Sequence, residues 1–395
     1  MEKRAIVIAG GGTGGHVFPG LAVARELRRR DPTRPLVWIG SRSGLEARLV
    51  PPESLPLLAL RLGGIAGRSA ASTAAASAMA AAAVLRCLAL FIAHRPAAVL
   101  GVGGFASGPA CLAAVLLRVP LVIHEQNAIA GGTNRFLARF ADAVGVSFEQ
   151  TAAALRGRRV VVTGNPIRTE FFAGSERDRE GQTSQPPVSP ASSGGQRLSL
   201  LIFGGSRGAH SINEAMSSAL PHLAGWRDRV SIVHQTGQAD FDQVRNAYAR
   251  AGFDSDVRPF LDDMPLRMRQ ADLVVGRAGA STIFELAASG KPAILVPFPH
   301  AAGGHQLDNA RSLEASGAAR VVEDGALTGE RLAAEIRELL SDTDRLRLMG
   351  EAARPVARPD AAARIADLVE SAISGSFEPE TARAPEKTKA PERRG

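Results

Sequence analysis

Five glycines crowd around Thr13 in AIVIAGGGTGGHVFPG (Ala5–Gly20), and an imidazole, His16, follows them directly. A backbone without side chains can approach an anion closely, and the helix behind such a turn presents free N–H groups and a positive dipole end. His16 is the one group in the first-half glycine loops able to take a proton near neutral pH, which makes it the candidate general base. Glu125, in the string HEQN, is the alternative base, because enclosure in a cleft raises a carboxylate's pKa. A second loop of the same kind, LSLLIFGGSRGAHSINEA (Leu198–Ala215), lies in the other half of the chain. Two such loops predict two nucleotide-type domains facing one cleft.

Gly10, Gly12 and Gly15 also satisfy the spacing of a dinucleotide fingerprint. That fold needs an acid at the end of its second strand to hold the ribose. The string LVWIGSRSG offers Ser41 and Arg42 instead. Arg42 keeps an NADP-type site open, whereas the glycine crowding fits a diphosphate or a sugar.

The elements that must carry these loops alternate regularly. Short apolar runs at Ala5–Ala9, Leu36–Ile39, Ala98–Leu100, Leu121–His124, Ala143–Val146 and Val160–Thr163 predict strands. Helical patterns start between them near Pro19, Glu46, Thr73, Gly108 and Gly132. The rhythm resumes with strands at Leu198–Phe203, Val230–His234, Val257–Pro259, Leu273–Val275, Ala293–Val296 and Arg320–Val322, and helical pattern runs to about Ser374. Such alternation predicts α/β architecture with parallel, doubly wound sheets. The Ser/Pro/Gly-rich stretch Gly174–Gln196 reads as a linker, and FEPETARAPEKTKAPERRG at the end reads as a disordered tail.

The chain has 395 residues, 45% hydrophobic and 22% charged, which is the balance of a soluble globular protein with room for two cores. A formal net charge of +8 fits anionic lipid or a phosphorylated substrate. Nucleic acid is disfavoured, because the arginines are scattered without interleaved aromatics. Cys87 and Cys111 sit in apolar helical stretches and read as buried small hydrophobes. The start, MEKRAIVIAG, has too short an apolar run for a secretory signal, which predicts a cytoplasmic protein. Ala70–Ala93 carries one charge, Arg86, and reads as a helix packed on a sheet; a place on a bilayer surface is compatible with it.

Further strings follow in order: GVGGFASGP (Gly101–Pro109), HEQNAIAG (His124–Gly131), GNPIR (Gly164–Arg168), FGGSRGA (Phe203–Ala209), HQTG (His234–Gly237), PFLDDM ending at Met264, GRAGASTIFEL ending at Leu286, and GHQLDNA (Gly304–Ala310). With GGGTGGHVFPGLAVA this set resembles the MurG family, the N-acetylglucosaminyltransferases that convert lipid I to lipid II in bacterial peptidoglycan synthesis, a process tied to cell shape and division. The resemblance spans Ile6 to about Ala310 and implies a GT-B fold, two Rossmann-like domains with the active site between them. It implies inverting transfer of GlcNAc from UDP-GlcNAc to the C4 hydroxyl of the muramoyl sugar. It also implies a peripheral location on the cytoplasmic face of the inner membrane, with an anionic membrane surface and cell-wall synthesis proteins as partners.

The corresponding layout is an acceptor and membrane-associating domain over 1–165, a hinge and linker over 166–197, a donor domain over 198–345, helices returning to the first domain over 346–375, and a disordered tail over 376–395. In the donor domain the backbone around Gly205 and the Ser206 hydroxyl can donate to phosphate oxygens. Ala280, Ser281 and Thr282 open a helix whose N-terminus is a second anion site, with Ile283 and Phe284 next and Glu285 expected in its first turn. By resemblance Glu285 holds the ribose, the Leu261 backbone meets the uracil, Gln306 and Asn127 contact the donor sugar, and Arg168 lies at the donor site near the hinge. Thr13, Gly14 and Gly15 are expected against the acceptor diphosphate or the donor sugar. Arg207 and Phe105 stand where relatives often have a neutral residue and a tyrosine. The literal Asp-x-Asp strings at 254–256 and 342–344 are not placed like a phosphate-facing metal site, so neither metal nor cofactor is expected. Rival readings are a GT-B enzyme with another acceptor, a nucleotide-sugar sensor and an NAD(P) oxidoreductase.

Overall fold

The computed structural model describes residues 3–60, 70–172, 197–205 and 208–377, without the side chains of 70–75 and 302. The expected linker, the tail beyond 377, Arg61, Arg68, Ser206 and Arg207 lie outside the described residues.

The first half runs β1 (Ile6–Ala9), α1 (Gly14–Arg30), β2 (Leu36–Ser41), α2 (Glu46–Leu49), β3 (Leu57–Leu60), α3 (Ala70–His94), β4 (Ala98–Gly101), α4 (Ser107–Leu116), β5 (Leu121–Glu125), α5 (Gly132–Leu137), β6 (Ala143–Val146), α6 (Glu149–Ala154) and β7 (Val160–Val162). Its strands form one parallel sheet in the order β3-β2-β1-β4-β5-β6-β7. The second half runs β8 (Leu198–Phe203), α7 (His210–Ala219), β9 (Val230–Gln235), α8 (Phe241–Ala251), β10 (Ser255–Arg258), α9 (Met264–Gln270), β11 (Leu273–Gly276), α10 (Ala280–Ser289), β12 (Ala293–Leu295), α11 (His305–Ala315), β13 (Ala319–Val321), α12 (Gly329–Leu340) and α13 (Thr343–Ala353). Its sheet is also parallel, in the order β10-β9-β8-β11-β12-β13. Helices cover both faces of each sheet, so central strands such as β1, β4 and β11 are apolar at successive positions and buried throughout.

Strand order reverses between β1 and β4 and again between β8 and β11. Ligands of open α/β sheets bind outside the carboxyl ends of strands at such switch points. Those ends are where the two glycine loops lie. The last helix, α14 (Ala361–Ser374), packs Ile365, Ala366 and Val369 into the core formed by Ile6, Ile8 and Leu100. Arg30 holds it there through Asp367 (2.6 Å) and Glu370 (2.8 Å).

Three expectations need correction. Strand β3 was not expected: it is a four-residue edge strand hemmed by Pro51, Pro52 and Pro56, with little periodicity to betray it. Helix α1 begins at Gly14, capped by extended Thr13, and carries Pro19 inside. α3 buries one stripe, Ala76, Ala83, Cys87 and Phe91, while Leu85 and Ile92 are more than 60% exposed. The expected packing on the sheet holds along that stripe, but the rest of the helix is not shielded: an apolar face points outward. Cys87 and Cys111 are buried free thiols, as expected.

Candidate active site

The first glycine loop is tied down by a carboxylate that sequence reasoning did not single out. Glu46 is fully buried and accepts the Gly12 N–H at 2.7 Å, the Ser41 N–H at 2.6 Å and the Ser41 hydroxyl at 2.7 Å. A dinucleotide pyrophosphate in the fingerprint mode would need that Gly12 N–H and would meet a negative charge there. This removes the physical basis of the NAD(P) reading. Gly12 takes φ +93°, and a Cβ on it would meet open space, so the loop tip faces the cleft. Behind it the loop after β4 packs so tightly that a Cβ on Gly104 would overlap the Gly11 carbonyl. These contacts account for Gly11 and Gly104, where the two strings pack against each other.

His16 sits half-buried in the first turn of α1. Its Nδ1 is 3.2 Å from Gln126 Oε1. The Gln126 amide nitrogen is 2.9 Å from the Val102 carbonyl and 3.1 Å from His124 Nδ1, and His124 Nε2 is 3.2 Å from the Gly164 carbonyl. Burial pulls the His16 pKa below its ordinary value; the Glu125 charge opposes this, and His305 from the second half reinforces it.

Glu125 is 2% exposed and fully committed. Its Oε1 accepts the Asn127 N–H (3.0 Å) and side-chain amide (3.3 Å), and its Oε2 accepts the Gly131 N–H (3.0 Å) and the Asn134 amide (2.8 Å). The carboxylate shapes the turn between β5 and α5. That turn reaches the second half through Asn309 on α11, whose Oδ1 accepts the Ala128 N–H (2.8 Å) and whose amide donates to Asn127 Oδ1 (3.2 Å) and the Ala278 carbonyl (3.1 Å). Asn309, fully buried, and Gln126 were both missed. Their roles depend on partners far away in sequence.

On the second half, α10 starts at Ala280 as expected, but Glu285 falls in its second turn. The helix must run past its N-terminal amides before the side chain swings back to the cleft wall. Ile283 and Phe284 bury their side chains with Leu261 in the adjoining core, so any ligand contact of these three is through backbone. The Ser281 hydroxyl is buried without a hydrogen-bond partner among the described residues. Glu285 lies 3.8 Å from Arg168, and burial lifts its pKa to about 7 while the arginine charge pulls the other way. The Arg168 guanidinium lies over the rings of Phe18 (4.8 Å) and Phe171 (5.0 Å), two residues beyond His16 on α1 and on the hinge respectively. Gln306 at the start of α11 accepts the Phe298 N–H at 2.9 Å through Oε1, which leaves its NH2 group to donate.

Arg277, also missed, braces the loop before α10 through Asp324 (2.5 Å), Ser211 (2.8 Å) and the Val296 carbonyl (3.2 Å). The Asp-x-Asp strings are otherwise engaged: Asp254 pairs with Arg197, Asp256 with Arg258 and Arg267, and Asp342 caps α13. Thr13, Gly14 and Gly15 form the N-terminal rim of α1 beside His16.

Two doubly wound sheets with glycine loops at facing switch points, and charged groups from both halves at one cleft, define a nucleotide-sugar transferase of the GT-B class. The N-terminal domain of glycosyltransferase family 28 matches residues 6–146, and the C-terminal domain of that family matches 199–366. The chain belongs to this family. It is 45% identical over 92% of its length, and 92% of the relative's, to the UDP-N-acetylglucosamine–N-acetylmuramyl-(pentapeptide) pyrophosphoryl-undecaprenol N-acetylglucosamine transferase of an Anaeromyxobacter species, and 41% identical to that of Myxococcus xanthus over 92% and 91%. A crystal structure of MurG from Acinetobacter baumannii covers 93% of this chain and 99% of its own at 32% identity and a TM-score of 0.71. A UDP-GlcNAc 2-epimerase from Neisseria meningitidis, bound to UDP-GlcNAc, shares the fold alone, at 13% identity over 93% and 100% with a TM-score of 0.64.

Proposed function

We propose that this chain transfers GlcNAc from UDP-GlcNAc to the C4 hydroxyl of MurNAc in undecaprenyl-diphospho-MurNAc-pentapeptide (lipid I), with inversion, to form lipid II. The carrying observation is the meeting of Phe18 on α1, two residues beyond His16, with Arg168 from the hinge and Glu285 from α10. Glu285 holds the ribose hydroxyls, which suits a buried carboxylate that stands 3.8 Å from Arg168, beyond hydrogen-bond distance. Gly205, Ser206 and the α10 N-terminus around Ala280, Ser281 and Thr282 take the diphosphate, and the Leu261 backbone takes the uracil. Gln306 and Asn127 meet the hexose: Gln306 donates from its NH2 group, and Asn127 keeps one amide hydrogen and one lone pair beyond its bonds to Glu125 and Asn309. Thr13, Gly14 and Gly15 meet the acceptor diphosphate or the donor sugar.

In the reaction the acceptor oxygen attacks the anomeric carbon as its bond to UDP breaks, so one displacement inverts the centre. His16 takes the hydroxyl proton, and the electron pair leaves with UDP. The α10 N-terminus and Arg168 offset the charge of the leaving group without a metal. Glu125 is a poorer base, because all four of its acceptor positions are filled within its own turn. The test is transfer of radiolabel from UDP-GlcNAc to lipid I, read in the lipid extract. Label recovered only as free sugar or as an epimerised nucleotide would overturn the assignment.

On this reading the chain works peripherally on the cytoplasmic face of the inner membrane, where cell-wall synthesis proteins are natural partners. The outward faces of α3, α4 and α5 and the turn after α5 support it: Leu85, Ile92, Leu116, Phe136 and Phe140 are each between 47% and 66% exposed. Exposed Arg86, Arg118, Arg135 and Arg139 share these helices and the turns that follow them. Apolar side chains with a cationic rim fit an anionic bilayer surface.

A further inference from the structure

We propose that Gln126 and His124 are positioning residues that fix the His16 proton on Nδ1, so that its Nε2 carries the lone pair. This rests on the reading of His16 as the base and deepens it. The argument starts from two carbonyl groups, which can only accept. The Val102 carbonyl, 2.9 Å from the Gln126 amide nitrogen, orients that side chain: turned over, Oε1 would meet a carbonyl oxygen lone pair to lone pair. The Gly164 carbonyl, 3.2 Å from His124 Nε2, requires the proton of that ring on Nε2, which leaves His124 Nδ1 an acceptor. The second amide hydrogen of Gln126 fills that acceptor at 3.1 Å. Oε1 then faces His16 Nδ1 at 3.2 Å and must receive a proton from it. Every donor in the chain has an acceptor; reversing Gln126 or His124 breaks at least two contacts, and reversing His16 breaks the one it makes with Gln126.

The surroundings hold this arrangement. His124 is fully buried and Gln126 is 1% exposed, so water does not compete. Ser147, whose hydroxyl donates to the Glu125 carbonyl at 3.1 Å, lies 3.4 Å from His124 Nε2 and offers a second acceptor there. Burial pushes the His124 pKa down to about 4, so its ring stays neutral where enzymes of this kind work. Gly103, at φ +89°, leaves the room the relay needs: a Cβ there would stand 2.7 Å from His16 Nδ1 and 3.4 Å from Gln126 Oε1. The groups facing His16 are Gln126 and Glu125 from the β5 end, the Val102 backbone from the β4 end, and His305 from α11. An amide cannot pass a proton onward, so the relay only aims the ring; the proton taken from the acceptor stays on His16 until product leaves.

The test is the nitrogen NMR spectrum of the full chain labelled with ¹⁵N-histidine at pH 8, with His16 assigned by the signal lost in His16→Asn. The inference predicts protonated Nδ1 and bare Nε2 on His16, and the reverse on His124. In Gln126→Met the His16 signals should move toward the other tautomer. Its kcat should fall about tenfold or more while KM for UDP-GlcNAc stays within about twofold. Gln126→Glu places a carboxylate on Nδ1 and should move the acid limb of the kcat/KM profile up by about one pH unit or more. A wild-type spectrum with the proton on His16 Nε2 overturns the inference whether or not either variant folds. So does wild-type kcat in Gln126→Met. If instead the tautomers are as stated but His16→Ala keeps its kcat, the relay stands and the base assignment falls.

Discussion

Donor binding should depend on pH through Glu285. Burial lifts this carboxyl to about pKa 7, with the neighbouring Arg168 pulling against the rise. Only the ionised form accepts from both ribose hydroxyls, so apparent affinity scales with the ionised fraction. That fraction is about nine tenths at pH 8 and about one tenth at pH 6 for a pKa near 7, a span of about tenfold in Kd or about 1.4 kcal/mol. The sign follows directly: a proton must leave Glu285 before the donor binds at low pH, so affinity rises with pH. The diphosphate diester of UDP-GlcNAc does not titrate in this interval, so the protein is the source. Titration calorimetry in buffers of different ionisation heat reads both quantities at once. It should show near-stoichiometric proton release at pH 6 and almost none at pH 8. Glu285→Gln should bind about ten- to a hundredfold more weakly at pH 8 and lose the pH dependence. Arg168→Ala should move the midpoint upward. Affinity that is flat from pH 6 to 8, or tighter at pH 6, refutes the ribose assignment.

Four other outcomes follow from the same geometry. His124 and His234 are buried neutral, with pKa values pushed down to about 4 and about 3. Because these folded values lie below the ordinary one, the unfolded chain binds the protons first; stability is whole above about pH 6.5 and declines as pH falls toward 4, by about 4 kcal/mol at pH 5, as urea midpoints should record. Glu46→Ala orphans two backbone N–H groups and a hydroxyl and should destabilise by about 3 kcal/mol in the same assay. Vesicle co-sedimentation with anionic lipid should weaken with added salt and drop about tenfold or more in Phe136→Glu/Phe140→Glu, whose rings pair at 5.4 Å on the exposed face. Chelation should leave transfer unchanged; loss restored by Mg²⁺ would contradict the charge-neutralising role given to the α10 N-terminus.

Much of the frame was readable in advance because it is local. Alternating apolar runs between glycine turns define parallel strands, and the position of Gly132 or Ala280 at a helix start follows from the residues beside it. β3 escaped because a short edge strand between prolines carries almost no periodic signal. For α3 the sequence left both a sheet-packed and a surface face open, because alanine tolerates both core and solvent and composition does not say which face is covered. Glu285 and Arg168, which the fold brings within 3.8 Å of each other, were singled out by the resemblance of the strings around them, whereas Glu46, Gln126, Asn309 and Arg277 act on partners 34, 110, 181 and 47 positions away. No local pattern announces such contacts; only the fold brings them together.

The central claim is that uridine diphosphate docks on the second half while its hexose faces His16 on the first. A crystal structure of the chain with UDP-GlcNAc tests it most directly. The account predicts ribose hydroxyls on Glu285, the diphosphate at the α10 N-terminus and the Gly205 loop, and the anomeric carbon turned toward His16. A diphosphate seated on Gly12 and the β1 loop, with Glu285 left empty, would contradict it.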